Sequence, residues 1–163
     1  MPKSSLFSTR NDLPHEIREK IVMLLNQHLA DTIDLYSQTK QAHWNVKGPQ
    51  FFQLHELFDK LAEEIEEQID MIAERATSLG GIARGTARQA AAASRLPDYP
   101  VEAISGQQHI ESLVVCVAPL AATTRAAIDT ASRLGDAGTA DLFTEISRAL
   151  DKTLWFLESH THG

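Results

Sequence analysis

From His55 to Arg75 the chain reads HELFDKLAEEIEEQIDMIAER, where Glu56, Asp59, Glu63, Glu64, Glu66, Glu67, Asp70 and Glu74 are set against only two basic residues, Lys60 and Arg75. Carboxylates crowded at helical spacing either form a solvated surface or gather cations, and the residue types admit both readings. An ideal helix turns ~100° per residue, so with His55 at zero, Glu66, Asp59, Asp70, Glu63 and Glu74 fall between ~20° and ~100°. The apolar residues Leu57, Phe58, Leu61, Ile65, Ile69, Ile72, Ala76 and Leu79 fall between ~200° and ~320° on the same wheel. One side of this helix is therefore built for a core and the other for water or metal. Imidazole with carboxylate suits iron or zinc better than calcium or magnesium.

The spacing also limits how a metal could be held. Bundle-core metal sites use inward-facing Glu-x-x-His pairs, and the chain contains no Glu-x-x-His. Asp59 and Asp70 share a face but lie eleven positions apart, which is ~16 Å along a helix, whereas an ion holds its ligands at about 2 Å. Two copies of the helix packed antiparallel about a two-fold axis would bring His55 and Asp59 of one beside Asp70 and Glu74 of the other, and symmetric dimers are the commonest oligomers.

Four long helical runs frame this segment. The first extends from Asn11 to about Val46, with Leu13, Ile17, Ile21, Leu24, Leu25, Leu35 and Tyr36 at helical spacing. Asn11 or Asp12 is placed to cap it and Pro14 to stand in its first turn. Gly48–Pro49 breaks the run. The second run spans Phe51–Leu79 and ends at Gly80–Gly81. The third runs from about Gly106 to Leu134 with Pro119 inside it, expected to bend it or remove a hydrogen bond. A turn over 135–138 leads to the fourth, from Thr139 to about Ser159. No stretch alternates with period two, so no strand of consequence is expected. The joint over 80–105 is far longer than antiparallel neighbours need, and TARQAAAAS within it is rich enough in alanine for a short helix. Short, long, short joints predict an all-α, ferritin-like four-helix bundle with a long crossover that carries a short helix between helices two and three. The chain reads as one domain, 1–163, with a short flexible tail over 1–10.

Composition sets the surroundings. An apolar share of 43% and a charged share of 23% are those of a soluble globule. The formal charge of −7 argues against a broad basic surface for nucleic acid. The single cysteine, Cys116, lies in the apolar run LVVCVAPLAA, so a buried thiol in a reducing cytoplasm is expected. Neither a signal peptide nor the ~20 apolar residues of a membrane span is evident. His28 sits on an apolar face and is expected as a hydrogen-bonded core residue. Trp44 and Trp155 are expected in packing, and His160 and His162 without a role.

The stretch KQAHWNVKGPQFFQLHELFDKLAEEIEEQIDMIAERATSLGG, opened by His43–Trp44, resembles the Dps family of ferritin-like proteins, as does GDAGTADLFTEISRALDKTLWFLESH near the end. The resemblance covers nearly the whole chain. It implies an intersubunit ferroxidase centre with His43, His55 and Asp59 from one subunit and Asp70 and Glu74 from its two-fold mate. It also implies a hollow dodecamer that oxidises Fe(II), preferentially with hydrogen peroxide rather than dioxygen, and stores the ferric mineral. Zinc would compete for the same ligands. Asp136, Asp141 and Glu145 match the family's acidic three-fold pore, with a capping role as the alternative for Asp136 and Asp141. Glu63, Glu66 and Glu67 are assigned to the cavity wall as mineral-nucleating acids, with a solvated face as the alternative, and Trp44 to intercepting radicals.

Relatives hold DNA through lysine-rich tails, whereas the N-terminal segment here has only Lys3 and Arg10. Phosphate contacts dominate non-specific affinity, so DNA binding is expected to be weak or absent and the location cytoplasmic. The alternative is a nucleoid-associated, DNA-compacting protein whose metal site is secondary or filled with zinc.

Overall fold

The computed structural model describes residues 6–162 as five helices. Lys3 of the expected tail lies outside the described residues. Helix α1 spans His15–Asn45, α2 Phe51–Ser78, α3 Ala87–Ala93, α4 Gly106–Arg133 and α5 Ala137–Glu158. The four long helices form the expected all-α bundle, and the only extended pairing among the described residues is a single bridge, Lys47 to Ser105.

The helix starts follow local chemistry. Thr86 with Gln89, and Ser105 with Gln108, form capping boxes at α3 and α4, each satisfying two otherwise orphaned amides. Asp136 caps α5 by accepting from the Thr139 amide at 3.0 Å. That start lies two residues before the expected Thr139. At α1 the expected cap is corrected: Pro14 occupies the position with no side-chain cap, and Asn11 accepts instead from the Leu13 amide at 3.0 Å, closing a local turn. Helix α4 runs unbroken through Pro119, which is exposed. By length and composition α4 could cross a membrane; here its apolar side, with Ile110, Leu113, Val117 and Leu120, is buried in the bundle.

Polar pins hold the crossover to α1. Asp31, 1% exposed, accepts from the Arg95 guanidinium at 2.6 and 3.0 Å and from its amide at 2.8 Å. Asn26 bonds the Ile82 carbonyl and the Arg84 amide. The end of α2 is closed by Gly80 at φ +84°, where a Cβ would stand 2.6 Å from the Phe7 carbonyl oxygen, so the close pass of residues 6–10 requires glycine there.

His28 is buried as expected, its Nδ1 donating to the Leu24 carbonyl at 3.0 Å. Cys116 is also buried, and its thiol donates to Gln38 Oε1. The packing expectation for the tryptophans is corrected, since Trp44 is 66% and Trp155 64% exposed. Both stand on helix faces turned away from the bundle.

Candidate metal centre

Helices α1 and α2 run antiparallel through the turn at Gly48, and this register brings His43 to His55. Each imidazole Nδ1 donates to the backbone carbonyl of the other residue at 2.8 Å. A carbonyl can only accept, so both protons sit on Nδ1 and both Nε2 lone pairs are free, the tautomer that binds metal. The rings stack with centroids 3.8 Å apart, and Phe51 covers the His55 ring at 5.1 Å.

One helical turn beyond His55, Asp59 places Oδ1 3.7 Å from His43 Nε2. The same oxygen accepts from Lys40 Nζ at 2.7 Å. That bond to Lys40 holds the Asp59 carboxyl below the usual carboxylate range, with the two histidines adding to the effect. Lys40 also lies 5.8 Å from the centre of the Trp44 ring. Sequence reading missed Lys40. Its one signal is the spacing of three residues before His43, which points it along the same face of α1.

The structure gathers His43, His55 and Asp59 at one end of the α1–α2 pair. Among the described residues no group of three metal-binding side chains closes on a common point within the chain. Asp70 and Glu74 stand exposed further along the same face of α2 as Asp59, so the five expected ligands split into two groups, His43 of α1 with His55 and Asp59, and Asp70 with Glu74. That face is as the wheel drew it: Glu56, Glu63, Glu66, Glu67, Asp70 and Glu74 are exposed, while Phe58, Leu61, Ile65, Ile72 and Ala76 are buried.

The expected pore residues also divide. Asp141 and Glu145 are exposed and, with Glu74 and Arg75, line an open groove of about 430 Å³ between α2 and α5. Asp136 is corrected to a structural role. It is 2% exposed, and its carboxylate accepts from Arg75 Nη2 at 2.7 Å while capping α5. Arg75 Nε donates in turn to Thr139 Oγ1 at 2.9 Å. A Cβ on Gly138 would meet the guanidinium at 2.9 Å, so glycine lets it pass.

A ferritin-like domain family matches residues 22–162, which places the bundle in the ferritin-like class. The DNA protection during starvation protein of Agrobacterium fabrum is 43% identical over 152 residues, covering 93% of this chain and 94% of that protein. DpsC from Streptomyces coelicolor superposes with a TM-score of 0.93 at 31% identity, covering 98% of this chain and 93% of that one. A Dps protein from Vibrio cholerae, described as a member of a broad superfamily of ferritin-like diiron-carboxylate proteins, gives 0.89 at 25% identity, over 96% and 98%. The chain belongs to the Dps family of ferritin-like proteins.

Proposed function

We propose that the protein is a ferroxidase and iron store whose catalytic centres form between two-fold-related subunits. Iron storage with protection from oxidation is the general activity of the family. The observation that supports the finer reading is the reciprocal His43–His55 pair, which frees two Nε2 lone pairs beside Asp59 on a face that cannot close around an ion alone. Asp70 and Glu74 of the partner subunit would complete the ligand set, with oligomerisation into a hollow dodecameric shell.

Iron is the substrate. The neutral imidazoles accept Fe(II), and the hard carboxylate oxygens favour the Fe(III) product. Two Fe(II) give one electron each to one hydrogen peroxide, which takes up two protons and leaves as two waters, so no hydroxyl radical forms. Dioxygen serves as the slower oxidant, and zinc competes for the ligands. Lys40 neutralises Asp59 until iron arrives, and the incoming cation takes over its partner. Asp141 and Glu145 draw iron in along the acidic groove toward Glu74. Glu63, Glu66 and Glu67 face the stored mineral, and Trp44 intercepts stray radicals. The cytoplasm is the proposed location, with DNA binding weak.

Stopped-flow absorbance tests this reading. Anaerobic Fe(II) at a few ions per subunit, followed by peroxide, gives a fast ferric phase that is slowed in His43→Ala and Asp59→Ala while assembly is kept. Unchanged initial rates in both variants would sink the assignment.

A further inference from the structure

Among the described residues three buried side chains carry a polar atom with no hydrogen-bond partner: His28 Nε2, Gln68 Oε1 and His109 Nε2. His109 differs from the other two because its second nitrogen meets an oxidisable group. Its Nδ1 is hydrogen-bonded to the Tyr99 hydroxyl at 2.5 Å, and the two rings stack with centroids 5.9 Å apart. Tyr99 is half-buried on the crossover, and His109 is fully buried in the first turns of α4.

The pair also connects to the metal face. His109 meets the ring of Phe58 edge-on at 6.4 Å. Phe58 is fully buried, directly precedes Asp59, and stands one turn from His55, which stacks on His43 at 3.8 Å. Behind the helix segment that carries His55 and Asp59 there thus lies a buried aromatic pair that ends at a phenol already holding a base. Packing alone does not require it, since phenylalanine at both positions would fill similar space.

We propose that Tyr99 and His109 form a proton-coupled electron-transfer pair that disposes of one-electron oxidants escaping the iron centre. The supply of oxidant rests on the function proposed above. When a single Fe(II) reduces hydrogen peroxide, the products are Fe(III), hydroxide and a hydroxyl radical. Tyr99 gives one electron toward that radical and passes its phenolic proton to His109, and the radical gains an electron and a proton from solvent to become water. Tyr99 is left as a neutral phenoxyl radical beside protonated His109. A later Fe(II) returns the electron and His109 returns the proton, restoring the phenol and leaving Fe(III).

Burial explains the need for the base. It pushes the Tyr99 phenol above its ordinary range and holds the His109 imidazole below its own, so a bare phenolate is disfavoured and the transferred proton returns readily. The chain has two tyrosines, so Tyr36→Phe is the matched control. The first arm is rapid-freeze electron paramagnetic resonance after Fe(II) and excess peroxide. A tyrosyl signal is expected in the wild type and Tyr36→Phe and lost in Tyr99→Phe, with oxidised tryptophan rising in the last. The second arm oxidises the metal-free protein with azide radical, so the pair is tested even if the iron reading fails. There the tyrosyl radical is expected to form more slowly in D2O and to be lost in Tyr99→Phe. Equal tyrosyl yields in the wild type and Tyr99→Phe, or no tyrosyl radical in the wild type, would overturn the proposal.

Discussion

Lys40 decides how the apo centre is poised. With its ammonium 2.7 Å from Asp59 Oδ1, any metal must displace a cation already in place. Exposed ion pairs are weak, so Lys40→Met is expected to tighten zinc binding by no more than roughly fivefold, measured by calorimetry. Weaker binding would mean that Lys40 helps build the site. A second residue-scale prediction concerns acid. Burial holds His28 below the ordinary histidine value of 6.5, with the Arg95 cation opposing its charge and the Asp31 carboxylate favouring it. The unfolded chain takes up that proton near 6.5 and the folded chain does not, so stability is level above this pH and falls as pH drops below it. Urea midpoints at pH 7.5 and 5.5 are expected to lie closer together in His28→Leu, and an unchanged gap would exclude His28 as the cause. Such residues were legible to different degrees. Cys116 declared itself by sitting in an apolar run and His28 by falling on an apolar helix face. Lys40 did not, because its partner lies nineteen positions away and meets it only through the helix register.

At the scale of elements, the end of α2 and the start of α5 share one joint. Arg75, Asp136 and Thr139 link the helices there, and Asp136 both caps α5 and carries the charge that Arg75 needs. Asp136→Ala is expected to cost about 2–3 kcal/mol in urea unfolding, from a lost cap and an unpaired guanidinium. Asp141→Asn is expected to leave stability unchanged and slow iron uptake instead. Equal effects on uptake from both variants would restore Asp136 to the pore. The helices were readable because their breaks are written locally, in Gly48–Pro49, Gly80–Gly81 and the turn over 135–138. The pins of the crossover, Asp31 with Arg95 and Asn26 with Ile82, join residues more than fifty positions apart, and no local pattern announces them.

At the scale of the molecule, the proposed centre requires the acidic face of α2 to meet a second copy. The apolar half of that helix is consumed by its own bundle, and its four proposed ligands, His55, Asp59, Asp70 and Glu74, are spread too far along it to meet around one ion. A charge of −7 per chain makes any shell acidic, so a gel shift at ~150 mM salt is expected to retain no duplex DNA at micromolar protein. Retention there would favour the compacting role.

The central claim is that each centre draws on two chains, and complementation tests it most directly. Asp59→Ala disables one half-site and Glu74→Ala the other, so each variant alone oxidises iron slowly. Co-expressed, they form mixed two-fold pairs in which one of the two centres is intact, and random pairing restores about one quarter of the wild-type centres. A fast ferric phase of that amplitude in the mixture, absent from either variant alone, is the predicted result. No recovery in mixed shells shown by mass spectrometry to contain both chains would contradict it and place the whole centre within a single subunit.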